Sequence, residues 1–368
     1  MQVLEHVPLA PLTTLQVGGP ARYFAQAATP DDVRQAVDWA NLRAVPLFVL
    51  GGGSNLVVAD SGFPGLVLRI AIGGVERREQ DGKQVFEAGA GVEWDALVVQ
   101  TVAANCAGLE CMSGIPGTVG GTPVQNVGAY GQEVSGTIIE VQVLDLRDRQ
   151  VRSLGHEACG FAYRRSIFNT GERGRFIILR VAYALQPGGA PTIAYRDLKQ
   201  YFEHNGCPTL VSPGVGETGW GFALKRPTLS DVREAVKEIR LSKAMLIVEG
   251  DEDSRSAGSF FKNPALDPAD YERLNAAAIL LTGSAVPSYP APARQYKIPA
   301  AWLVENAGFH KGYTRGNVGI SRKHALAIVN RGGATAAEII ALNHDIQRAV
   351  LEKFGIQLTP EPVFVGFE

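Results

Sequence analysis

A glycine-rich segment at residues 113–131 has the composition of a loop that binds phosphate. Glycine lacks the side chain that would keep another molecule off the backbone, and it readily adopts the positive φ angles that aim successive N–H groups at one point. The glycines of this segment are Gly114, Gly117, Gly120, Gly121, Gly128 and Gly131. Tight turns in β-rich proteins also use glycine, so this segment alone leaves two interpretations open, a phosphate cradle and a set of turns.

A second glycine run, residues 51–55, directly follows the apolar segment 45–50. A short apolar segment bounded by glycines is typical of a buried strand, which would deliver a second loop of bare backbone. Two such loops favour the first interpretation, because together they could hold the two ends of a diphosphate.

Regular secondary structure is predicted on both sides of these loops. Thr29 and Pro30 predict the start of a helix, since threonine caps helix N-termini and proline fits the first turn. A second helix is predicted from Glu93 to Ala107 and should end at Gly108. It lies immediately before the glycine-rich segment 113–131, which we call the large loop. Strands are predicted at 66–70 and 85–88. Strands are also predicted at 139–143 and 179–185, where apolar and polar residues alternate, which indicates the half-buried strands of an α+β sheet.

A Rossmann fold is excluded by the sequence around the large loop. That fold requires a strand, a G-x-G-x-x-G turn, a helix and an acidic residue about 20 positions later. Here Pro116 and Pro123 interrupt the loop, and no helical pattern follows it.

The last third of the chain is predicted to form a separate domain. Ser230 is the predicted cap of a helix that ends near residue 242, where we place the domain boundary. Further along, Thr335 and Glu338 have the spacing of a capping box at the start of a long helix, and Gly355 is its predicted end.

Composition excludes several classes of partner. The chain has 35 Lys and Arg against 37 Asp and Glu among 368 residues, so no net field would gather nucleic acid or an anionic membrane. It has no basic-then-apolar signal segment and no apolar run of about 18 residues, so we expect a cytoplasmic protein. Its 4 cysteines lack C-x-x-C spacing and its 6 histidines are scattered, so no metal site is predicted.

The motifs of both loops resemble those of the UDP-N-acetylenolpyruvoylglucosamine reductase (MurB) family of bacterial peptidoglycan synthesis, and in particular its type I members. The matching segments extend over nearly the whole chain, although Thr122 stands where the family more often has alanine and Pro362 is unusual after Glu361. The segments that carry the resemblance are 51–56, 114–121, 125–131, 163–166, 257–264 and 360–361.

The resemblance implies an α+β fold with a two-part FAD-binding region of the PCMH / vanillyl-alcohol-oxidase type and a C-terminal α/β substrate-binding domain. It implies four divisions of the chain. These are FAD-binding subdomain 1 at 1–70, FAD-binding subdomain 2 at 71–242 with a tyrosine-bearing insertion near 186–230, the substrate-binding domain at 243–358, and a C-terminal tail at 359–368 that returns to the active site.

The resemblance also implies a reaction. UDP-N-acetylglucosamine enolpyruvate would be reduced to UDP-N-acetylmuramate with NADPH, by hydride transfer through N5 of noncovalently bound FAD and protonation by a serine. The expected partners are therefore a UDP-sugar and NADPH, with no nucleic acid and no membrane. We expect a cytoplasmic monomer that serves cell wall biogenesis, and through it cell shape and cell division.

Site residues follow from the resemblance, residue by residue. Ser259 is the implied proton donor, and Arg164 and Glu361 are the implied partners of the substrate carboxylate. The implied FAD-binding residues are Gly51, Gly52, Gly53, Ser54, Asn55, Ser113, Gly114, Pro116, Gly117, Thr118, Gly120, Gly121, Asn126, Gly128, Ala129 and Tyr130. The implied substrate-binding residues are Tyr195, Lys243, Asn263, Tyr289, Lys311 and His324.

Other interpretations remain open. Ser259 could be a turn serine that bonds its own backbone, and Arg164 or Glu361 could form surface ion pairs. The whole chain could instead be a flavin oxidase on a related FAD fold, or a nucleotide-binding regulator without turnover. Oxidases of that class often tether flavin through His or Cys. Between His6 and His156 the chain has no histidine, leaving only Cys106 and Cys111 near the loops, which disfavours an oxidase.

Overall fold

The structure, a computed structural model, describes residues 1–205 and 226–367, which divide into two compact units. The first unit comprises Met1–Leu4, Phe24–Gly52 and Gly65–Ser242. The second comprises Glu5–Tyr23, Gly53–Pro64 and Lys243–Glu368. Cys207 and much of the insertion predicted near 186–230 lie outside the described residues.

The described residues contain helices of about two to five turns. They are α1 (Pro30–Leu42), α2 (Trp94–Ala103), α3 (Arg196–His204), α4 (Leu229–Ser242), α5 (Pro268–Thr282), α6 (Ala300–Asn306) and α7 (Ala336–Phe354).

The strands of the described residues range from short bridges to one long central strand. They are β1 (Val3–Pro8), β2 (Pro20–Ala27), β3 (Leu47–Leu50), β4 (Leu56–Val58), β5 (Phe63–Ile70), β6 (Val75–Gln80), β7 (Lys83–Gly89), β8 (Cys106–Ala107), β9 (Gly128–Ala129), β10 (Gln132–Glu133), β11 (Ile138–Asp145), β12 (Val151–Gly155), β13 (Phe176–Pro187), β14 (Ala265–Leu266), β15 (Tyr289–Pro290), β16 (Tyr296–Lys297), β17 (Thr314–Arg315), β18 (Val318–Ile320), β19 (Ile328–Asn330) and β20 (Val363–Val365).

The main sheet of the first unit is antiparallel, in the order β12-β11-β13-β7-β6, and β8 also pairs with β13. Strand β13 is its centre: Val181 pairs with Val141 of β11 on one side and with Ala88 of β7 on the other. The unit also contains the parallel pair β3 and β5, in which Leu47 lies opposite Leu66. The strands predicted from alternating residues are therefore present.

Helix α1 has the start that the sequence predicts. The Thr29 side chain accepts a hydrogen bond from the Asp32 backbone, and the Asp32 carboxylate accepts one from the Thr29 backbone. Val33, Ala36 and Val37 are buried on one face of the helix.

The predicted helix from Glu93 to Ala107 is wrong at its C-terminal end. Helix α2 ends at Ala103, and Asn105 has a φ of 52° in the left-handed region, which turns the chain before Gly108 is reached. Cys106 and Ala107 then form β8, which pairs with the end of β13. Pairing with a distant strand thus outweighs the local helical pattern.

The predicted cap of α4 is also wrong. The side chain that accepts a hydrogen bond from the Asp231 backbone is Thr228, at 3.1 Å, and the Asp231 carboxylate accepts one from the Thr228 backbone at 2.8 Å. Ser230 lies inside the helix, because Leu229 already begins it.

The second unit has a core formed where α5, α6 and α7 pack with short strands. Its small sheets are β14-β16-β15, β17-β18-β19 and the parallel pair β20-β4. Helix α7 begins with the predicted Thr335–Glu338 capping box and ends at Gly355, which has a φ of 68°. Ile339, Leu342 and Ile346 of α7 are fully buried in this core.

Neither unit offers a membrane span or a metal centre in its described residues. No helix there is both long enough and apolar enough to cross a bilayer. No group of 3 or more His, Cys, Asp or Glu side chains there is arranged to hold a metal ion.

Candidate active site

The two glycine loops predicted from separate parts of the sequence meet in the first unit. A Cβ atom added to Gly52 would lie 2.5 Å from Cα of Gly117, and one added to Gly51 would lie 3.1 Å from Oγ1 of Thr118. A side chain at Gly52 would collide with backbone, so glycine is required there for the close approach. The loops therefore form one continuous surface of bare backbone.

Thr118 gives this surface an unsatisfied polar group. Its Oγ1 atom is buried and has no hydrogen-bond partner among the described residues. Leaving a buried hydroxyl unpaired costs about 1–3 kcal/mol, so such atoms usually mark the place of a ligand or water. The residues present thus fit a bound phosphate-containing group such as FAD.

Helices α2 and α4 brace the large loop at Gly114. The Gly114 N–H donates to Oδ1 of Asp95 at 2.6 Å, and Nε of Arg240 donates to the Gly114 carbonyl at 3.2 Å. Arg233 completes the brace with hydrogen bonds of 2.6 and 2.7 Å to the two carboxylate oxygens of Asp95. Gly114 itself has a φ of 68° and could not be replaced without strain.

Electrostatics reinforce the Asp95 brace. Burial raises the pKa of Asp95, but the hydrogen bonds from Arg233 and Gly114 outweigh it and leave that pKa below its usual value. A carboxylate whose folded pKa is lowered stabilises the fold above its ordinary pKa of 3.8 and loses that contribution as the pH falls below it. Asp95 is therefore charged throughout the neutral range.

We expect Asp95→Asn to weaken FAD binding by about 10-fold, because the variant keeps the shape of the side chain and loses the charge-assisted contacts that hold Gly114. Fluorescence titration of the apoprotein with FAD measures this affinity without turnover. Asp145→Asn is the matched control, since Asp145 makes an equally close pair with Arg175, at 2.7 Å, at the end of β11. Equal losses of FAD affinity in both variants, or no loss in either, would contradict a specific role for the brace.

Arg164 lies against the large loop of the same unit. Its Nη2 atom donates to the Gly128 carbonyl at 3.1 Å, and its backbone has a φ of 54°, an uncommon conformation for a residue other than glycine. The turn that carries it is held by Ser166, whose hydroxyl donates to the Val124 carbonyl at 2.6 Å. Strained residues of this kind are concentrated at functional sites.

Asn126 joins this turn to the loop. Its amide donates to the Ala162 carbonyl at 3.1 Å and to Glu133 at 2.9 Å, and its side-chain oxygen accepts from the Ser135 N–H at 3.1 Å. The Asn126 side chain thus holds the loop in place, and its backbone N–H donates to the Pro123 carbonyl at 3.4 Å.

Thr122, the departure from the family's usual alanine, has a partner. Its hydroxyl lies 2.7 Å from the Tyr183 hydroxyl and also donates to the Val119 carbonyl at 2.9 Å. Burial raises the pKa of Tyr183, so both groups stay neutral and fully paired. The threonine therefore attaches the loop to the central strand β13.

Tyr195, predicted to bind substrate, packs edge-on against Tyr130 of the large loop, with ring centroids 5.5 Å apart. Tyr130 is buried with α3 and α4 in a small core, whereas Tyr195 precedes α3 and is 48% exposed. The first unit thus places one predicted substrate residue directly beside one predicted cofactor residue.

In the second unit, the predicted proton donor Ser259 contacts His324. Oγ of Ser259 and Nε2 of His324 lie 3.0 Å apart. Ser259 is therefore not a serine bonded only to its own turn, since that role belongs to Ser256, whose hydroxyl accepts the Gly258 N–H at 3.2 Å.

Glu361 lies on the segment next to Ser259. The Glu361 N–H donates to the Phe260 carbonyl at 2.9 Å, and the Lys262 N–H donates to the Thr359 carbonyl at 3.0 Å. The Glu361 carbonyl accepts from the Asn55 side chain at 3.3 Å, so Asn55 of the glycine run 51–55 contacts this segment. Gly53 and Ser54 are held in the same unit by Thr14.

The other predicted substrate residues are spread over the second unit. The Asn263 side chain accepts the Ala300 N–H at 2.8 Å at the start of α6, and Lys243 directly follows α4. Tyr289 on β15 is 56% exposed, and Lys311 is exposed after α6. Among the described hydrogen bonds, neither Tyr289 nor Lys311 reaches Ser259.

Sequence reasoning missed the residues that hold the loops. Asp95, Arg233 and Arg240 lie on predicted helices and resemble ordinary surface charges, so no local pattern distinguishes them. A weak signal was available in α4, where both arginines fall on the face that also carries Val236 and are buried with it.

The class of protein is defined by comparison with known families. Residues 21–154, which contain both glycine loops, match the FAD binding domain model, so the chain is a flavoprotein of that fold. Residues 251–365, which contain Ser259 and Glu361, match the model of the UDP-N-acetylenolpyruvoylglucosamine reductase C-terminal domain.

Full-length relatives give the same result. The UDP-N-acetylenolpyruvoylglucosamine reductase of Thermobifida fusca is 43% identical over 366 residues, which is 98% of each chain. That of Streptomyces coelicolor is 42% identical over 368 residues, covering 100% of this chain and 91% of the relative. The crystal structure of MurB from Thermus caldophilus matches with a TM-score of 0.64 and 25% identity, covering 99% of both chains.

The chain therefore belongs to the UDP-N-acetylenolpyruvoylglucosamine reductase (MurB) family. The fold class predicted from the sequence, an α+β FAD-binding region followed by a C-terminal domain, is confirmed by these matches.

Proposed function

We propose that this protein reduces UDP-N-acetylglucosamine enolpyruvate to UDP-N-acetylmuramate with NADPH, in the synthesis of peptidoglycan precursors. The observation that carries the proposal is the 43% identity, over 98% of both chains, with a reductase named for that substrate. The protein acts as a cytoplasmic monomer. Its functional divisions are those expected from the sequence, 1–70 and 71–242 for FAD, 243–358 for substrate, and the tail 359–368.

Reduction of an enolpyruvyl ether adds a hydride to one alkene carbon and a proton to the other. FAD, when bound, supplies the hydride that it has received from NADPH. Negative charge grows on the substrate carboxylate between the two additions. The protein must therefore stabilise that charge and deliver a proton to the alkene carbon that does not receive the hydride.

The backbone of the two glycine loops would hold the cofactor. The glycines of residues 51–55 and 113–130 let a ligand approach the backbone closely, and the unpaired Thr118 hydroxyl supplies a donor. The Asp95 brace keeps the loop in shape before the cofactor arrives.

Ser259 serves as the proton donor. A serine hydroxyl is a weak acid, but a hydroxyl aimed at the developing carbanion in a dry pocket transfers its proton only as basicity develops there. Arg164 acts on the carboxylate side, because a guanidinium presents a planar pair of donors to a carboxylate. Glu361, when protonated or bridged by water, stabilises the same enolate.

The UDP-sugar is bound by Tyr195, Lys243, Asn263, Tyr289, Lys311 and His324. Lysine ammonium groups suit the diphosphate as compact charges, and tyrosines supply hydroxyl donors on stacking surfaces.

The direct test of this function is consumption of NADPH, followed at its absorbance maximum, in the presence of UDP-N-acetylglucosamine enolpyruvate. We expect oxidation of NADPH only when the sugar nucleotide is present, with UDP-N-acetylmuramate as product. Binding of both ligands without loss of NADPH would instead support a regulator.

We expect the flavin to be noncovalent FAD. Cys106 and Cys111, the residues near the loops that could tether it, are 1% and 0% exposed, and burial raises the pKa of both thiols, so neither supplies a reactive thiolate. Acid precipitation should release the yellow colour into the supernatant as FAD. Colour that stays with the precipitate would contradict this, and FMN in the supernatant would contradict a diphosphate held by two loops.

A further inference from the structure

The hydrogen bond between Ser259 and His324 joins residues that are 65 positions apart in the second unit. Each partner is held by its own backbone. Gly258, with a φ of 76°, turns the chain into Ser259, and the Phe260 N–H that follows donates to the Leu326 carbonyl at 2.8 Å. Leu326 is two residues beyond His324, so a backbone bond fixes the distance between the two segments.

The turn that carries His324 is also fixed. The buried Ser321 hydroxyl accepts the His324 N–H at 3.2 Å and the Lys323 N–H at 3.1 Å. The Ala327 N–H donates to the His324 carbonyl at 3.2 Å, which closes the turn between β18 and β19. The imidazole ring is thus carried on a closed turn rather than on a free loop.

Charges on the neighbouring segment hold the turn from outside. The Arg322 N–H donates to Asp253 at 3.1 Å, and the Lys323 ammonium donates to Asp251 at 3.0 Å. Arg322 also lies 3.5 Å from Glu252. These charged side chains are therefore engaged with one another across the two segments.

A serine that gives up its proton needs a replacement at the same moment. A free alkoxide in a dry pocket is a very strong base, and forming it alone would cancel most of the advantage of a positioned donor. A ring nitrogen 3.0 Å from Oγ is within the distance over which a proton is transferred directly.

We propose that His324 is a positioning residue that returns a proton to Ser259 as Ser259 protonates the substrate. The proposal rests on the proposed function, in which Ser259 is the donor. The Oγ–H bond of Ser259 breaks as a C–H bond forms on the electron pair of the substrate carbanion. The Nε2–H bond of His324 breaks as a new Oγ–H bond forms, and Nδ1 takes a proton from solvent.

The relay leaves the chain without a new charge, because the ring changes only from one neutral tautomer to the other. It requires that Nε2 carry the hydrogen in the resting enzyme, so that Nε2 donates to Oγ and the serine O–H is directed to the substrate. His324 thereby acts on the reaction through Ser259, in addition to any contact with the sugar nucleotide.

The test uses holoenzyme variants His324→Ala and His324→Gln, with His310→Gln as the matched control. The control histidine lies in the same unit, and its Nδ1 contacts the Lys311 carbonyl at 3.0 Å. Flavin reduction by NADPH and anaerobic reoxidation by the sugar nucleotide are measured separately, and reoxidation is repeated in mixtures of H₂O and D₂O.

We expect His324→Ala to slow reoxidation by about 10- to 10²-fold while reduction by NADPH stays near the wild-type rate. In the wild type, a plot of the reoxidation rate against the D₂O fraction should be curved, since several protons move together. His324→Gln keeps a donor amide but cannot relay a proton, so the same plot should be linear for this variant. His310→Gln should match the wild type in its reoxidation rate and in the shape of this plot.

Nitrogen-15 NMR of the histidine rings gives a readout that does not depend on turnover. It should show the Nε2–H tautomer for His324 in the resting holoenzyme. The Nδ1–H tautomer, a linear D₂O dependence in the wild type, or wild-type reoxidation in His324→Ala would each overturn the relay. If Ser259→Ala itself reoxidised normally, the donor role of Ser259 would fail instead, so the two failures are distinguishable.

Discussion

Replacing Ser259 with alanine is expected to slow reoxidation of the reduced flavin by the sugar nucleotide about 10²- to 10⁴-fold, the usual cost of removing a positioned acid. Reduction by NADPH should stay near the wild-type rate, because transfer of hydride from NADPH needs no acid on the substrate. Stopped-flow absorbance under anaerobic conditions separates the two half-reactions.

Ser256→Ala is the control for the turn that carries Ser259. The Ser256 hydroxyl accepts the Gly258 N–H at 3.2 Å, so its loss disturbs the same turn while the donor remains. We expect this variant to lower the free energy of unfolding by about 1 kcal/mol and to leave the reoxidation rate nearly unchanged. Reoxidation at the wild-type rate in Ser259→Ala would return that serine to a structural role. Equal slowing of both half-reactions would indicate a distorted pocket rather than a missing acid.

A single methyl group at Gly52 is expected to abolish FAD retention, with affinity reduced at least about 100-fold. The Cβ atom of Gly52→Ala would lie 2.5 Å from Cα of Gly117 and 2.8 Å from its carbonyl carbon. Those neighbours are backbone atoms that cannot rotate away, so the two loops must separate and the surface proposed to bind the diphosphate is lost.

Gly136→Ala is the matched control for this effect. Gly136 lies in the same unit but outside both glycine loops, and a Cβ atom there would meet nothing within 4 Å. FAD content after gel filtration and the affinity of the apoprotein for FAD should therefore stay near wild type in this variant. A Gly52→Ala protein that purifies with a full complement of FAD would show that the loops do not need their close contact.

The sequence predicts the helices and strands that are determined by residues close to one another in the chain. The capping boxes at Thr29 and Thr335 define the starts of α1 and α7 because the partner of each cap is only three residues away. The alternation around Val141 and Val181 likewise locates β11 and β13. The glycine loops are evident in the sequence because they are defined by composition rather than by a distant partner.

The parts that could not be predicted depend on distant residues. The end of α2 is decided by pairing of Cys106 with Pro187, and the shape of the large loop by Arg233, which is 138 residues from Asp95. The Ser259–His324 contact is of the same kind, because the two residues are 65 positions apart and no local pattern joins them.

The measurement that tests the central claim most directly is anaerobic titration of the NADPH-reduced protein with UDP-N-acetylglucosamine enolpyruvate, followed by flavin absorbance. If the protein is the reductase proposed here, one equivalent of the sugar nucleotide restores the full absorbance of oxidised FAD and yields one equivalent of UDP-N-acetylmuramate. A flavin that stays reduced until oxygen is admitted, with the sugar nucleotide recovered unchanged, would contradict the account.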